Sequence, residues 1–286
     1  MPMHPSAPDD LNGLLDAFDQ TVQAVIDLGW SCREADFDTP TDCPGWTVKD
    51  QISHVVGAEK TFAGIRREKI RVPDYSHLKH DFARAVEIDV EARRGWSGRA
   101  VVTELADFHP ERMAQLRGSD AGLDTVIGGI FGDDTTFGQH LRARISDVWV
   151  HEQDIRNALD RPGDLDSPAA AVFTASTLES LPRIAARVAQ IEPGHAVVLE
   201  VTGPVMAREG VRVTIGADGR PYGELLFSGH DRPVGDEQLE VTTIRLTTDA
   251  LTRRAAGRRS TSDIGFTVTG DEALARRLLD SLAFMP

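Results

Sequence analysis

Residues 140–163, HLRARISDVWVHEQDIRNALDRPG, decide how the chain is read, because two stripes run along them at helical spacing. One is apolar: Leu141, with Ile145, Val148, Ile155 and Leu159 at offsets of 4, 7, 14 and 18 from it. A stripe of that kind fixes a helix against a core. The other is polar, with His140, Arg144, Asp147, His151 and Asp154 at offsets of 0, 4, 7, 11 and 14. Asp147 and His151 stand one turn apart and project together, which is half of a metal site. The blander reading is an amphipathic helix with its polar side in water. Against that, solvated faces usually carry Lys and Glu, whereas this one mixes two imidazoles with carboxylates.

Working outward, Leu11 to Leu28 repeats its apolar residues at helical spacing, with Asp9 or Asp10 as its cap. A loop with Thr39-Pro40 and Cys43-Pro44-Gly45 follows. A second helix opens at Trp46-Thr47, where Thr47 and Asp50 form an acidic variant of a capping box and Val48, Ile52, Val55, Val56 and Phe62 supply the buried face. Further helices are expected from His77 to Arg94 and from Gly98 to Leu116. The glycine-rich stretch 119–138 reads as a flexible connection with the character of a lid. The key helix stops near Arg161, before Pro162-Gly163, and another is expected from Ser167-Pro168 to about Val188.

Beyond residue 195 the period changes. Segments 196–202, 211–215, 222–227, 239–246 and 264–269 read as strands, with short helices at 249–256 and 271–282. Runs of helix followed by runs of strand predict an α+β chain of two domains, 1–165 all-helical and 166–286 α+β.

Composition narrows the function class. The chain has 286 residues and a formal charge of −14, with 45 acidic against 31 basic residues, so a nucleic-acid partner is disfavoured. Mean hydropathy is −0.25, and no run of about 18 apolar residues is present to span a bilayer. Cys32 and Cys43 are too few for a disulfide scaffold, and the first ten residues lack the pattern of a signal peptide. A cytoplasmic enzyme acting on a small molecule is the expectation.

His54, in the second helix, lies beside the apolar face. Alone it would be a hydrogen-bonded structural histidine; with Asp147 and His151 it completes a set of two imidazoles and one carboxylate. Three ligands from two helices, with one position left open, describe a catalytic zinc-type site better than a closed structural one.

Cys43-Pro44-Gly45-Trp46-Thr47-Val48 with His54 eight residues after Trp46, then Trp149 to Arg156 and Arg161-Pro162-Gly163, closely resemble the mycothiol-dependent maleylpyruvate isomerase family. That resemblance implies a DinB-like four-helix bundle followed by a C-terminal α+β domain similar to sterol-carrier-like folds, closing over the site. It places the family's metal ligands on His54, Asp147 and His151, with Asp147 standing where maleylpyruvate isomerase has Glu. It also implies a divalent metal, zinc by preference, and mycothiol as the thiol partner, the thiolate adding to an activated double bond, allowing rotation and leaving. A C-terminal-domain arginine near the metal belongs to the same picture, and Arg258 is the candidate. Metal-bound water in a hydrolase, or a non-catalytic metal-binding or stress-response module, are the alternatives.

Other residues carry open assignments. His140 and Arg144 contact a substrate carboxylate, support the ligands from behind, or face solvent. Asp154 accepts a hydrogen bond from a ligating histidine or is a solvated acid. Glu59 lies amid the apolar face of its helix, which requires a buried partner. His77, His80, Asp81 and Arg84 read as a solvated helix face. Cys43 and Trp46 read as packing residues.

Overall fold

The computed structural model describes residues 6–129, 132–226 and 239–283. The chain divides into two compact units, Pro8–Gly163 and the residues from Asp164 onward.

The first unit is a helical bundle. Helices α1 (Leu11–Ser31), α2 (Val48–Phe62), α4 (Gly98–Arg117) and α5 (Phe137–Ala158) each pack against two of the others, α1 and α2 both meeting α4 and α5, while α3 (Asp81–Glu91) packs on α2. Local chemistry sets the ends. Asp10 caps α1 by accepting from the Gly13 amide, and Thr47 and Asp50 form the reciprocal capping box expected at α2. Thr136 and Gln139 form another at α5. The apolar stripe of α5 is buried at Leu141, Ile145, Val148 and Ile155, and α5 packs on α1, whose Leu14, Phe18, Val22 and Val25 are buried as well. Trp149 is the largest fully buried side chain among the described residues.

Two helical expectations are corrected. His77 lies outside α3, which begins at Asp81 with His80 as its cap, the His80 Nδ1 accepting from the Ala83 amide at 3.1 Å. His77 instead stacks on Tyr75 and reaches the buried Glu87, so this cluster is not one solvated face. Of the expected lid, residues 130–131 lie outside the described residues; Val126 and Thr136 form a β-bridge just before α5.

The second unit begins with α6 (Pro168–Glu179), capped by Ser167. The helix expected to run on to Val188 breaks at Ser180. Pro182 has no amide to donate to the carbonyl four residues back, and the chain continues as a single turn α7 (Leu181–Arg183) and a wider π-type turn over Ile184–Val188. Five described strands follow: β1 (His195–Thr202), β2 (Met206–Ile215), β3 (Pro221–Leu225), β4 (Glu240–Leu246) and β5 (Phe266–Thr269), in the order β3-β2-β1-β4-β5. Strand β2 starts earlier than its apolar run suggested because β1 pairs with it along its whole length. Phe227, expected to end the third strand, lies outside the described residues. Strands β1 and β4 are parallel and the other pairs antiparallel. Helices α8 (Thr248–Ala255) and α9 (Glu272–Asp280) complete the unit, with Leu274, Leu278 and Leu279 of α9 joining Val197, Leu199, Val211 and Ile244 in its core. The observed fold is α+β, a helical bundle followed by a smaller mixed unit. Among the described residues no helix is long and apolar enough to cross a membrane.

One close approach fixes α2 against α3. A Cβ at Gly57 would sit 2.3 Å from that of Asp89, and Asp89 cannot swing aside because Arg67 holds both its oxygens at 3.0 and 2.7 Å. Alanine's helix propensity gains about 1 kcal/mol over glycine, less than the roughly 1–3 kcal/mol strain of an overpacked contact. Gly57→Ala is therefore expected to lower the chemical-denaturation midpoint; a raised midpoint would show that the two helices separate freely.

Candidate metal centre

Helix α2 carries His54 and α5 carries Asp147 and His151, and the packing of these two helices brings the three together although 93 residues separate the first two. One donor atom from each lies within 4.8 Å of the others. His54 Nε2 is 3.1 Å from Asp147 Oδ2, and His151 Nε2 is 3.6 Å from Asp147 Oδ1. Ligands about 2.0–2.1 Å from a tetrahedral cation stand roughly 3.4 Å apart, so these separations suit a small divalent ion. Both histidines are buried, while Asp147 keeps 23% of its side-chain surface exposed, which leaves the trio open on the carboxylate side.

Charge is arranged for that carboxylate to be ionised. Burial works against it, but the Arg144 guanidinium, followed by His54 and His151, outweighs burial and holds the Asp147 carboxyl well below its ordinary range. Arg144 Nη1 donates to Asp147 Oδ2 at 2.8 Å, and Arg144 Nε to Glu59 Oε1 at 2.7 Å. Arg112 Nε donates to the other oxygen of Glu59 at 2.9 Å. Glu59 is thus the buried acid that its helix position required a partner for, and it has two. Burial would raise its pKa; Arg144 and Arg112 prevail and lower it.

The other members of the polar stripe are all buried, which removes the solvent-facing readings of His140, Arg144 and Asp154. His140 packs edge-on against Phe62 at 4.7 Å. Burial, reinforced by the Arg144 cation, pushes the His140 imidazole down to about 4, so it is neutral at pH 7 and offers no cation to a substrate carboxylate. Asp154 Oδ2 lies 3.9 Å from His151 Nδ1, beyond hydrogen-bond range. That nitrogen instead contacts Gln51 Oε1 at 2.5 Å. Gln51 escaped the sequence reading, and its signal is a position one helical turn before His54 on α2.

Trp46 is more than a packing residue. Its indole ring lies 5.2 Å from the His54 ring and 5.7 Å from that of His151, and its Nε1 donates to Glu87 Oε2 at 2.9 Å. Cys43, expected to be buried, is partly exposed. Arg258 belongs to the C-terminal unit, where its Nη1 donates to the Ala256 carbonyl at 2.9 Å, a contact typical of a basic residue at a helix end.

Residues 18–156 match the family model of the mycothiol maleylpyruvate isomerase N-terminal domain. The fold is similar to the crystal structure of the mycothiol-dependent maleylpyruvate isomerase, with 16% identity, a TM-score of 0.52, and 91% of this chain and 94% of that chain covered. A mutant of that enzyme gives the same identity and coverage with a TM-score of 0.51. No curated protein matches the chain.

The Glu59 pair of ion contacts generates a stability prediction. Removing one member of a buried ion cluster leaves uncompensated charge and costs about 3–5 kcal/mol, so Glu59→Gln should lower stability on that scale in denaturant titrations. Because the folded-state carboxyl titrates below its unfolded value of about 4.3, its contribution is complete above that pH and is lost as pH falls through the folded value. The variant should lack this part of the acid limb; acid-denaturation curves that run parallel to wild type would refute the assignment.

Proposed function

Because the helical unit belongs to the mycothiol maleylpyruvate isomerase N-terminal domain family, we propose that this chain holds a divalent cation on His54, Asp147 and His151. With mycothiol, it isomerises or transfers a thiol to a small electrophile of the maleylpyruvate type. The convergence of the three donor atoms supports the reading most directly. Two imidazoles and a carboxylate with one side open suit zinc in a catalytic rather than a structural role. The buried trio is drawn from two neighbouring helices and backed by Arg144 on the carboxylate and Gln51 on one imidazole, which is the support ligating residues need.

A cation in that position lowers the pKa of a bound thiol, making thiolate available near neutral pH. The residues of the chain do the rest. Asp147 supplies the negative charge and the two histidines supply neutral nitrogen donors. Arg144 keeps the Asp147 carboxyl ionised and aimed. Trp46 covers the two imidazole rings and keeps water from that side.

Mycothiol, when bound, would supply a thiolate able to add reversibly to an activated double bond and so permit its cis-trans isomerisation, with no net change in oxidation state.

Purified protein should contain one equivalent of divalent metal, lost on chelation and absent from His54→Ala and His151→Ala. Asp147→Glu should retain it, since the longer carboxylate still offers an oxygen to the same centre. Maleylpyruvate should isomerise only when mycothiol and metal are both present. Metal content unchanged in His151→Ala would sink the site, and turnover of an electrophile without thiol would move the assignment to hydrolysis.

A further inference from the structure

We infer that Thr41 and Gln51 together set the tautomer of His151, acting as positioning residues that leave its Nε2 lone pair directed at Asp147. The inference rests on the reading of His151 as a metal ligand for its purpose, but its logic comes from hydrogen-bond capacity alone.

The Thr41 hydroxyl has one proton to give and two lone pairs to receive. Thr41 Oγ1 lies 2.9 Å from the Trp46 carbonyl, an atom able only to accept, so the hydroxyl proton is spent there. The Cys43 amide, which can only donate, reaches the same oxygen at 3.2 Å. One lone pair remains, and Gln51 occupies it at 2.7 Å. Since the hydroxyl has no further proton, Gln51 must present its Nε2 to Thr41. The carboxamide is thereby fixed with Oε1 toward His151, 2.5 Å from Nδ1. An amide oxygen only accepts, so His151 carries its proton on Nδ1 and keeps Nε2 bare. Nε2 is the nitrogen that faces Asp147, at 3.6 Å. The opposite amide orientation would set its oxygen against a Thr41 oxygen that has no proton left to give, two acceptors face to face.

The loop holding Thr41 is itself tied down. The Thr41 amide donates to the same Trp46 carbonyl at 3.0 Å, the Trp46 amide to the Cys43 carbonyl at 3.1 Å, and Pro40 bridges to Thr47. The backbone turn that holds the Trp46 ring over both histidines therefore also dictates, through one hydroxyl and one carboxamide, which nitrogen of His151 carries the proton. Gln51 is buried in full, so water does not compete for either end of its amide.

Long-range proton–nitrogen correlation spectra of the metal-free, 15N-histidine-labelled protein test this directly, recorded at a pH where the imidazole is neutral. Wild type should show His151 with protonated Nδ1 and bare Nε2. Thr41→Val and Gln51→Ala should each shift His151 toward a mixture of tautomers, whereas Thr41→Ser, which keeps the hydroxyl, should preserve the wild-type signature. Zinc affinity, measured by competition with a chromophoric chelator, should fall by roughly 10–100-fold in Thr41→Val and Gln51→Ala and recover in Thr41→Ser.

A proton on Nε2 in wild type, or a tautomer indifferent to both disruptive changes, would overturn the inference even if zinc binds. Conversely, the expected spectra from a protein that takes up no metal would leave the inference standing and remove the reading of the site. If Gln51→Ala does not fold, Thr41→Val carries the same test from outside the helices.

Discussion

The Glu59 carboxylate, buried between the guanidinium groups of Arg112 and Arg144, is the interaction on which the rest of the site depends. An isolated carboxylate inside a bundle would protonate or unfold the helix that carries it. Here two cations, one from α4 and one from α5, meet an anion from α2. Arg144 then has a further nitrogen to spend on Asp147. The charge that keeps Asp147 ionised is thus anchored by an acid with no contact to either histidine among its described hydrogen bonds. Three helices are locked in register by the same contact that prepares the carboxylate.

A second, separate chain of contacts prepares the histidine side. It begins in the loop before α2, passes through Thr41 and Gln51, and ends on His151. Trp46, at the end of that loop, lies over both imidazoles and is held from behind by Glu87, which also receives His77 and Arg94. Buried polar groups are costly unless every member is satisfied, and a satisfied network fixes one arrangement. The Glu59, Arg112 and Arg144 contacts on one side and the Gln51 amide on the other flank the point where the three donor atoms converge.

Much of the fold was legible in the sequence because it is written in periodicity and capping. The apolar stripe of α5, the Thr47/Asp50 box and the change of period after residue 195 each report a local constraint that the chain must satisfy wherever it folds. The failures have equally local causes. A helix read through to Val188 ignored that Pro182 removes a donor, and the helix begun at His77 ignored that histidine can cap as well as continue. Glu59 announced a buried partner without naming one, since the Arg112 and Arg144 that answer it lie 53 and 85 residues away.

The sequence by itself determined which residues could take part: an i, i+4 carboxylate and imidazole on α5, a histidine on α2, and a motif around Cys43 to Val48 that points to a family. Those signals depend on neighbours within a turn or two, which the chain order preserves. Only the tertiary structure decided that His54 faces Asp147, that Arg144 and His140 are buried rather than exposed, and that Gln51 rather than Asp154 meets His151. Those facts arise where helices distant in sequence pack side by side. There, contact depends on which faces the core turns inward, and no spacing along the chain records it.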